Sequence, residues 1–280
     1  MIPGLEGAAA VLDPPARQYE ENPHSQAFYR DLFAAYDRTA DLEQFAAGPQ
    51  HTHRQLTDLL ADHPSLCGRS ADLVIVAHAL PDSQPYGVTA SYAGLLFGDD
   101  SHGFAVSEQG LSAPFTALRI LTGFWRSGRT RRPVLLVLEQ TTLPVRDPAV
   151  HGERPLVDSG ALLAFGGEGR LALRDAKDVR LELTREELTA RLNALVDQDP
   201  QGTLVVLGPS AARRLGPALR GRNRHEAAPG TYATGVWVAL ADNWVDWQAR
   251  YRRIALCDLE LTTDQGCMAV LYGDPDASGG

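Results

Sequence analysis

Apolar residues in this chain form short continuous runs that are separated by stretches with helical spacing. The continuous runs predict strands over residues 72–78, 103–107, 134–139, 161–165, 171–173, 179–183, 204–207, 254–258 and 267–272. The helical spacing predicts helices over residues 88–97, 112–126, 184–196, 210–219 and 235–251, with further helical spacing between residues 25 and 62. Strands that alternate with helices in this way predict βαβ units and a mixed, largely parallel sheet.

The order of these elements suggests two similar α/β halves packed into one core. Residues 1–22 are rich in Pro, Gly and Glu, and they predict an extended or loosely ordered N-terminal arm. Residues 23–150 form the predicted N-terminal half and residues 151–280 the C-terminal half. A linker with Pro, Arg and Asp at residues 143–155 lies at the boundary.

Composition narrows the possible classes of protein. The chain has 280 residues, which is long enough for a full hydrophobic core. Its net charge of -9 argues against a nucleic-acid-binding surface. Its three cysteines fit neither a disulfide framework nor a CxxC metal pattern. With no signal-like N-terminus and no apolar run of membrane length, we expect a cytoplasmic protein.

The segment from Phe104 to Leu121 offers the first candidate for chemistry. It predicts a strand, a turn at Gly110 and an amphipathic helix that begins near Ser112. A serine at a helix N-terminus feels the helix dipole, but it acts as a nucleophile only with a base within hydrogen-bond reach. The alternative is a helix N-cap, which serine strongly favours. Both interpretations of Ser112 remain open.

Two histidines are further candidates for acid–base chemistry. His78 ends a predicted buried strand and has Asp82 four residues later, so a His–Asp pair is one interpretation and a structural, hydrogen-bonded histidine is the other. His225 lies in a polar segment before Gly230, and it is either a catalytic group or a solvated loop residue. Cys257 and Cys267 fall at strand positions and are interpreted as small core residues.

Other motifs do not predict a ligand. His51 and His53 are two residues apart, unlike the i, i+4 spacing of zinc-binding helices, so we predict no metal site. Residues 166–169, Gly-Gly-Glu-Gly, are interpreted as a hairpin turn between two strands.

Four segments together resemble the thiolase superfamily, and most closely β-ketoacyl-acyl-carrier-protein synthase III. These segments are the strand and acidic turn at residues 72–82, the strand–turn–helix elbow at residues 104–121, the basic turn and strand at residues 127–139, and residues 230–240 with the two closing strands. The resemblance implies a thiolase-like fold of two βαβαβ halves, layered α/β/α/β/α, with a shortened N-terminal region.

The resemblance also implies a catalytic cysteine, histidine and asparagine, and this chain lacks all three. The cysteine position falls on Leu111, the histidine position on Gly208 and the asparagine position on Thr231. Leucine has neither a lone pair nor a titratable proton, so Leu111 is neither a nucleophile nor an acid or base.

Three hypotheses for function follow from this loss. The first is a non-catalytic subunit that pairs with an active ketosynthase homologue, or with itself, in fatty-acid, polyketide or other secondary-metabolite biosynthesis. The second is an acyltransferase or condensing enzyme with an active site rebuilt around Ser112, His78 or His225. The third is a protein that binds acyl-carrier protein through Arg126, Arg129, Arg131 and Arg132. None requires a cofactor; the expected ligand is an acyl-CoA or acyl-carrier-protein thioester.

Overall fold

A computed structural model describes residues 2–260 and 262–273. Its strands are β1 (Gly4–Leu12), β2 (Leu73–His78), β3 (His102–Val106), β4 (Pro133–Glu139), β5 (Ser159–Gly166), β6 (Leu171–Ala172), β7 (Val179–Thr184), β8 (Thr203–Leu207), β9 (Arg224–Glu226), β10 (Arg253–Glu260) and β11 (Gln265–Tyr272). Its α-helices are α1 (Pro23–Ala34), α2 (Leu42–Ala47), α3 (His53–Ala61), α4 (Thr89–Phe97), α5 (Ala113–Arg126), α6 (Pro148–His151), α7 (Arg185–Gln198), α8 (Pro209–Leu215) and α9 (Gly235–Arg250).

Two groups of five strands share one topology. The first has the order β3-β2-β4-β5-β1 and the second the order β9-β8-β10-β11-β7. In each group the first three strands are parallel and the last two are antiparallel to their neighbours. The short strand β6 pairs with β1 and β11 and joins the two groups. The predicted α/β fold with two similar halves is therefore confirmed.

The helices form three layers around these two groups of strands. α5 and α9 lie between the groups and share the largest core cluster, which includes Phe115 and Trp237. α3 and α4 cover the outer face of the first group, and α7 and α8 cover the outer face of the second. Alternation along each strand assigns side chains to a face, since Ala77 belongs to the central core and Val76 to the outer one.

The N-terminal residues differ from their prediction. Residues 4–12 form β1, which lies between β5 and β6, so a loosely ordered arm over residues 1–22 is wrong for this segment. Gly and Ala dominate the run and have little strand preference, but pairing on both sides and burial of Leu5 fix it in the sheet. The expected shortening of the N-terminal region did not remove this strand.

Two further features differ from their prediction: the boundary at residue 150 and the turn at residues 166–169. β5 pairs with β1 and β4, so the first strand group continues past the predicted boundary at residue 150. The Gly166–Gly169 segment is not a hairpin turn, because β5 and β6 do not pair with each other and instead lie on opposite sides of β1. Gly169 passes against the backbone of Gly4, where a Cβ atom would overlap main-chain atoms.

The predicted helix start at Thr184 is confirmed, and a polar capping motif marks it. Thr184 and Glu187 form a capping box at the start of α7: the Glu187 N–H donates to Thr184 Oγ1 at 3.2 Å and the Thr184 N–H donates to Glu187 Oε2 at 3.0 Å.

Within the described residues, none of the helices combines the length and the apolar character needed to cross a membrane.

Candidate functional site

The turn between β3 and α5 packs against the loop that precedes α9. Gly110 has φ of 50°, and a Cβ atom there would lie 2.9 Å from the Tyr232 hydroxyl oxygen. Glycine suits this position, because the backbone angle lies in the left-handed region and a side chain would displace the Tyr232 hydroxyl. Leu111 is buried beneath the turn. Ser112 Oγ donates a hydrogen bond to the Gln109 carbonyl oxygen at 2.7 Å and makes no capping hydrogen bond to α5.

Asp258 occupies the space that a side chain at residue 208 would need. Gly208 follows β8, and a Cβ atom there would overlap Asp258 Oδ2. The Asp258 carboxyl group accepts hydrogen bonds from the backbone N–H groups of Leu259 and Ala211. Burial, more than its neighbours, raises the pKa of Asp258 from 3.8 to about 7.

Glu139 holds the loop before α9 from the end of β4. Its carboxyl oxygens accept hydrogen bonds from the N–H groups of Tyr232 at 2.9 Å and Ala233 at 2.7 Å. Burial raises the pKa of Glu139 from 4.5 to about 7, and the charge of Asp258 adds to this effect. Each of these two carboxyl groups therefore holds a proton more tightly than an ordinary carboxyl group.

Tyr232 and Glu260 complete the cluster on its more exposed side. The Tyr232 hydroxyl donates a hydrogen bond to Glu260 Oε2 at 2.5 Å. Burial and this hydrogen bond raise the pKa of Tyr232, so its hydroxyl stays protonated. Glu139, Asp258, Glu260 and Tyr232 together form what we call the acidic cluster. A carboxyl group with a pKa near 7 is able to donate or accept a proton at neutral pH.

The remaining position, Thr231, belongs to the same loop. Its Oγ1 donates to the Ala228 carbonyl oxygen at 2.8 Å. A Cβ atom at Gly235 would lie 2.5 Å from Thr231 Oγ1, so the first turn of α9 packs closely on the threonine. Thr231 is buried and its hydroxyl proton is committed to the backbone.

Comparison with solved structures relates the fold of this chain to known structures. The chain superposes on 3-oxoacyl-(acyl carrier protein) synthase III from Pseudomonas aeruginosa with a TM-score of 0.64, at 13% identity, over 98% of this chain and 99% of that one. For the corresponding synthase III from Aquifex aeolicus the values are 0.65, 12%, 97% and 100%. OleA from Xanthomonas campestris, solved with lauric acid and lauroyl-CoA, gives 0.61, 12%, 97% and 99%.

The chain has a thiolase-like fold. No protein-family model and no curated protein matches the sequence. At these identities the likeness establishes the fold alone. The order of elements agrees with the resemblance carried by residues 72–82, 104–121, 127–139 and 230–240.

In this thiolase-like fold the acidic cluster lies where the turn before α5, the end of β8 and the loop before α9 converge. Those three segments carry Leu111, Gly208 and Thr231, the residues aligned with the cysteine, histidine and asparagine of the resemblance. None of the three supplies a nucleophile with a neighbouring base. The carboxyl groups of Asp258 and Glu139 come from strands β10 and β4 instead.

The other two predicted site residues lie away from this cluster. His78 is on the outer face of the first strand group, where its ring lies 4.6 Å from the ring of His53 and its Nδ1 is 2.8 Å from the Leu80 carbonyl oxygen. His225 is on edge strand β9, and its ring lies 5.1 Å from Trp247. Burial lowers the pKa of His225.

No hydrogen bond or ion pair joins any two of Ser112, His78 and His225, so the structure does not assemble them as one catalytic unit. Asp82 makes no hydrogen bond to His78. Its carboxyl group accepts hydrogen bonds from the backbone N–H groups of His53 and Gln84. A serine without a base nearby remains a weak nucleophile.

The buried histidines of the outer face form a structural network. His51 Nδ1 lies 2.8 Å from Asp158 Oδ2, and the other Asp158 oxygen accepts from the N–H and hydroxyl of Thr141. Burial lowers the pKa of His53 to about 3, so its ring is neutral at ordinary pH. Within residues 2–260 and 262–273, no group of three His, Cys, Asp or Glu side chains has a metal-binding arrangement.

Sequence reasoning missed the whole acidic cluster. A signal was present, because Glu139 and Asp258 each close an otherwise apolar run that predicts a buried strand. The carboxyl ends of parallel strands are where α/β proteins place their sites. Ser112, His78 and His225 are closer in chemistry to a catalytic cysteine and histidine than these carboxylates are, but they do not lie together in the fold.

Proposed function

We propose that this chain is a non-catalytic, ketosynthase III-like subunit that pairs with an active ketosynthase in fatty-acid, polyketide or related acyl-thioester biosynthesis. One observation carries the proposal: the space where the three converging segments meet is occupied by carboxyl groups and a tyrosine, with no nucleophile–base pair. Acyl transfer through a covalent intermediate requires such a pair.

The central layer supports the same function. Phe115 of α5 and Trp237 of α9 pack edge to face with ring centroids 5.0 Å apart, and both side chains are fully buried. These large rings pack against each other between the two central helices, in the core cluster that both helices share. Large side chains thus fill the central layer of this thiolase-like fold, which supports a structural role for that layer.

A partner surface is available beside the turn. Among the described strands, β3 is an edge strand that pairs with β2 alone, and three of its five residues are exposed. Four apolar side chains in and before α4 are also exposed: Tyr86, Val88, Leu95 and Leu96. An unpaired strand edge beside exposed apolar side chains is typical of a protein–protein interface. The partner we propose is a second thiolase-fold chain, either an active homologue or another copy of this one.

The test combines mass spectrometry with reconstitution. The purified chain is mixed with a panel of acyl-CoA and acyl-carrier-protein thioesters, and intact mass and thiol release are followed. We expect no adduct and no thiol release from the chain alone. Co-expression with a cysteine-containing ketosynthase homologue from the same genome should give a stable complex whose acyl-chain selectivity differs from that of the homologue alone.

An acyl adduct on the chain alone, or thiol release that disappears in Ser112→Ala, would overturn the proposal. A stable homodimer that ignores every such homologue would remove the heterodimeric version. Ser112→Ala should change the local structure little, because among the described residues the Ser112 hydroxyl makes one hydrogen bond, to the Gln109 carbonyl oxygen.

A second candidate is an active acyltransferase or condensing enzyme with a rebuilt site, and the acidic cluster is the observation that favours it. Asp258 and Glu139 have pKa values raised to about 7, which suits proton transfer at neutral pH. Under this alternative the acceptor would attack the thioester carbonyl directly and the thiol would leave. Asp258 would take the proton from the acceptor and give it to the departing thiolate. Thioester turnover that survives Ser112→Ala but is abolished by Asp258→Asn would establish it.

A further inference from the structure

A polar cavity of about 140 Å³ lies in the outer layer, away from the acidic cluster. α1, α2 and α3 surround it together with the loop after β2. Six of its lining residues carry the argument, and we call the space that they enclose the amide pocket: Tyr19, Tyr29, Phe45, Gln50, Gln55 and Gln84.

Aromatic rings form one wall of the amide pocket. The rings of Tyr29 and Phe45 lie 5.3 Å apart, and those of Tyr19 and Phe45 lie 6.3 Å apart at nearly right angles. The Tyr29 hydroxyl donates to the Ser83 carbonyl oxygen at 2.9 Å, which fixes this wall to the loop after β2. Linked rings of this kind form a rigid apolar surface that needs little ordering when a ligand binds.

Side-chain amides line the remainder of the pocket, and part of their hydrogen-bonding capacity is unused. Gln84 Oε1 accepts from Ser25 Oγ at 3.0 Å, and Gln55 Oε1 accepts from the Thr52 N–H at 3.0 Å. These bonds fix both amides but leave the two Nε2 groups without a protein acceptor among the described residues. Gln50 Nε2 donates to the Phe45 carbonyl oxygen, so Gln50 Oε1 is left as a spare acceptor.

Charge is confined to the mouth of the pocket, where Arg17 and Glu20 are exposed. Burial raises the pKa of Tyr29, so the deepest titratable group of the wall is uncharged. The interior therefore offers no counter-ion to a charged ligand. It suits a neutral molecule that both accepts and donates hydrogen bonds and has one apolar face.

We propose that the amide pocket is a binding site for a neutral polyhydroxylated six-membered ring, such as a hexopyranose or its methyl glycoside. Sugar hydroxyls act as both donors and acceptors, and they match the two spare Nε2 groups and the spare Oε1. The C–H face of a pyranose matches the aromatic wall. A cavity of about 150 Å³ holds a bare benzene ring, so the pyranose ring would lie inside the pocket and some of its hydroxyl groups would extend into the mouth beside Arg17 and Glu20.

The test is saturation-transfer NMR with a panel of neutral hexopyranoses, methyl glycosides and N-acetylhexosamines, with uridine and adenosine as non-sugar rings. We expect transfer to at least one sugar and at least a tenfold weaker affinity in Gln84→Met. Gln44→Met is the matched control, because Gln44 lies on α2 but does not line the pocket. Thermal melting verifies that both variants fold.

The proposal is overturned if no sugar in the panel shows transfer, if only the nucleosides bind, or if Gln84→Met and Gln44→Met bind the sugar equally. Its outcome is independent of the proposed ketosynthase role. Ser112→Ala and Asp258→Asn change the region of the acidic cluster and should leave sugar binding unaltered.

Discussion

At the scale of single residues, Asp258 is the buried group with the clearest measurable consequence. Its carboxyl group fills the space beside Gly208, and two backbone N–H groups hold it there. A buried carboxyl group resists ionisation because water no longer solvates the charge. The cost of keeping this group in the core therefore depends on pH, and that dependence is measurable.

We predict that Asp258 makes the protein less stable as the pH rises from 5 to 8. Its pKa is raised from 3.8 to about 7 on folding, so between these values the folded chain holds a proton that the unfolded chain has lost. Stability from this group is present at acidic pH and is lost as the pH rises through 7. The expected loss between pH 5 and pH 8 is about 3 kcal/mol, nearly all of it below pH 7.

Asp258→Asn should remove this dependence, and urea unfolding at several pH values measures it. The raised pKa of Glu139 changes stability in the same direction as that of Asp258. His53 acts in the opposite direction, because its pKa is lowered to about 3 on folding. Below pH 6.5 the unfolded chain therefore binds a proton at His53 that the folded chain does not, and the fold is destabilised. The quantity to follow is therefore the difference between wild type and variant. Asp246→Asn, an exposed change on α9, is the control. A difference for Asp258→Asn that stays constant from pH 5 to pH 8 would contradict the prediction.

At the scale of elements, the strands with continuous apolar runs were predictable and β1 was not. The run from Leu73 to Ala77 is buried on both faces and has no polar interruption, so its pattern alone identifies a covered strand. β1 consists largely of Gly and Ala, whose small side chains give neither strand preference nor periodicity. Only its pairing with β5 and β6 reveals its place, and such long-range pairing is not visible in a local pattern.

We predict that β1 is essential for folding even though it lies near the N-terminus. Ala9 is 2% exposed and packs in the outer core of the first strand group. Ala9→Glu buries a charge without a partner, and we expect a loss of at least about 4 kcal/mol or failure to fold. Leu12→Glu, at a residue that is 39% exposed in the same strand, should change stability by less than about 1 kcal/mol.

Circular dichroism and thermal melting of the two β1 variants decide the matter. Ala9→Glu should lose the cooperative transition that Leu12→Glu retains. Equal melting temperatures for the two variants would show that β1 is dispensable, as a loosely ordered arm would be.

At the scale of the whole molecule, fold and function were predictable to different extents. Patterns in residues 72–82, 104–121 and 230–240 reach across both halves, and together they indicated the thiolase-like fold. The acidic cluster gathers Glu139, Asp258 and Tyr232 from three elements that are far apart in sequence, and only the folded chain shows that they are neighbours. The molecule thus combines a thiolase-like fold with buried carboxyl groups, Glu139 and Asp258, at the place where the three segments converge.

The proposed paired function requires a surface on which the second chain binds. We predict that the surface formed by β3 and α4 mediates association, because α4 carries Leu95 at 68% exposure beside the unpaired edge of β3. Leu95→Glu places a charge in the contact, and loss of apolar burial together with desolvation of the carboxylate should weaken association by at least tenfold. The melting temperature of the isolated chain should not fall, since residue 95 is exposed there.

Analytical ultracentrifugation of the chain alone and mixed with a cysteine-containing homologue measures this effect. Val245→Glu is the matched control, because Val245 is 56% exposed but lies on α9. Weakened association in Leu95→Glu together with normal association in Val245→Glu would place the interface at β3 and α4. If both variants associate like wild type, or if wild type stays monomeric with every homologue, this surface is not the interface and the paired function loses its structural support.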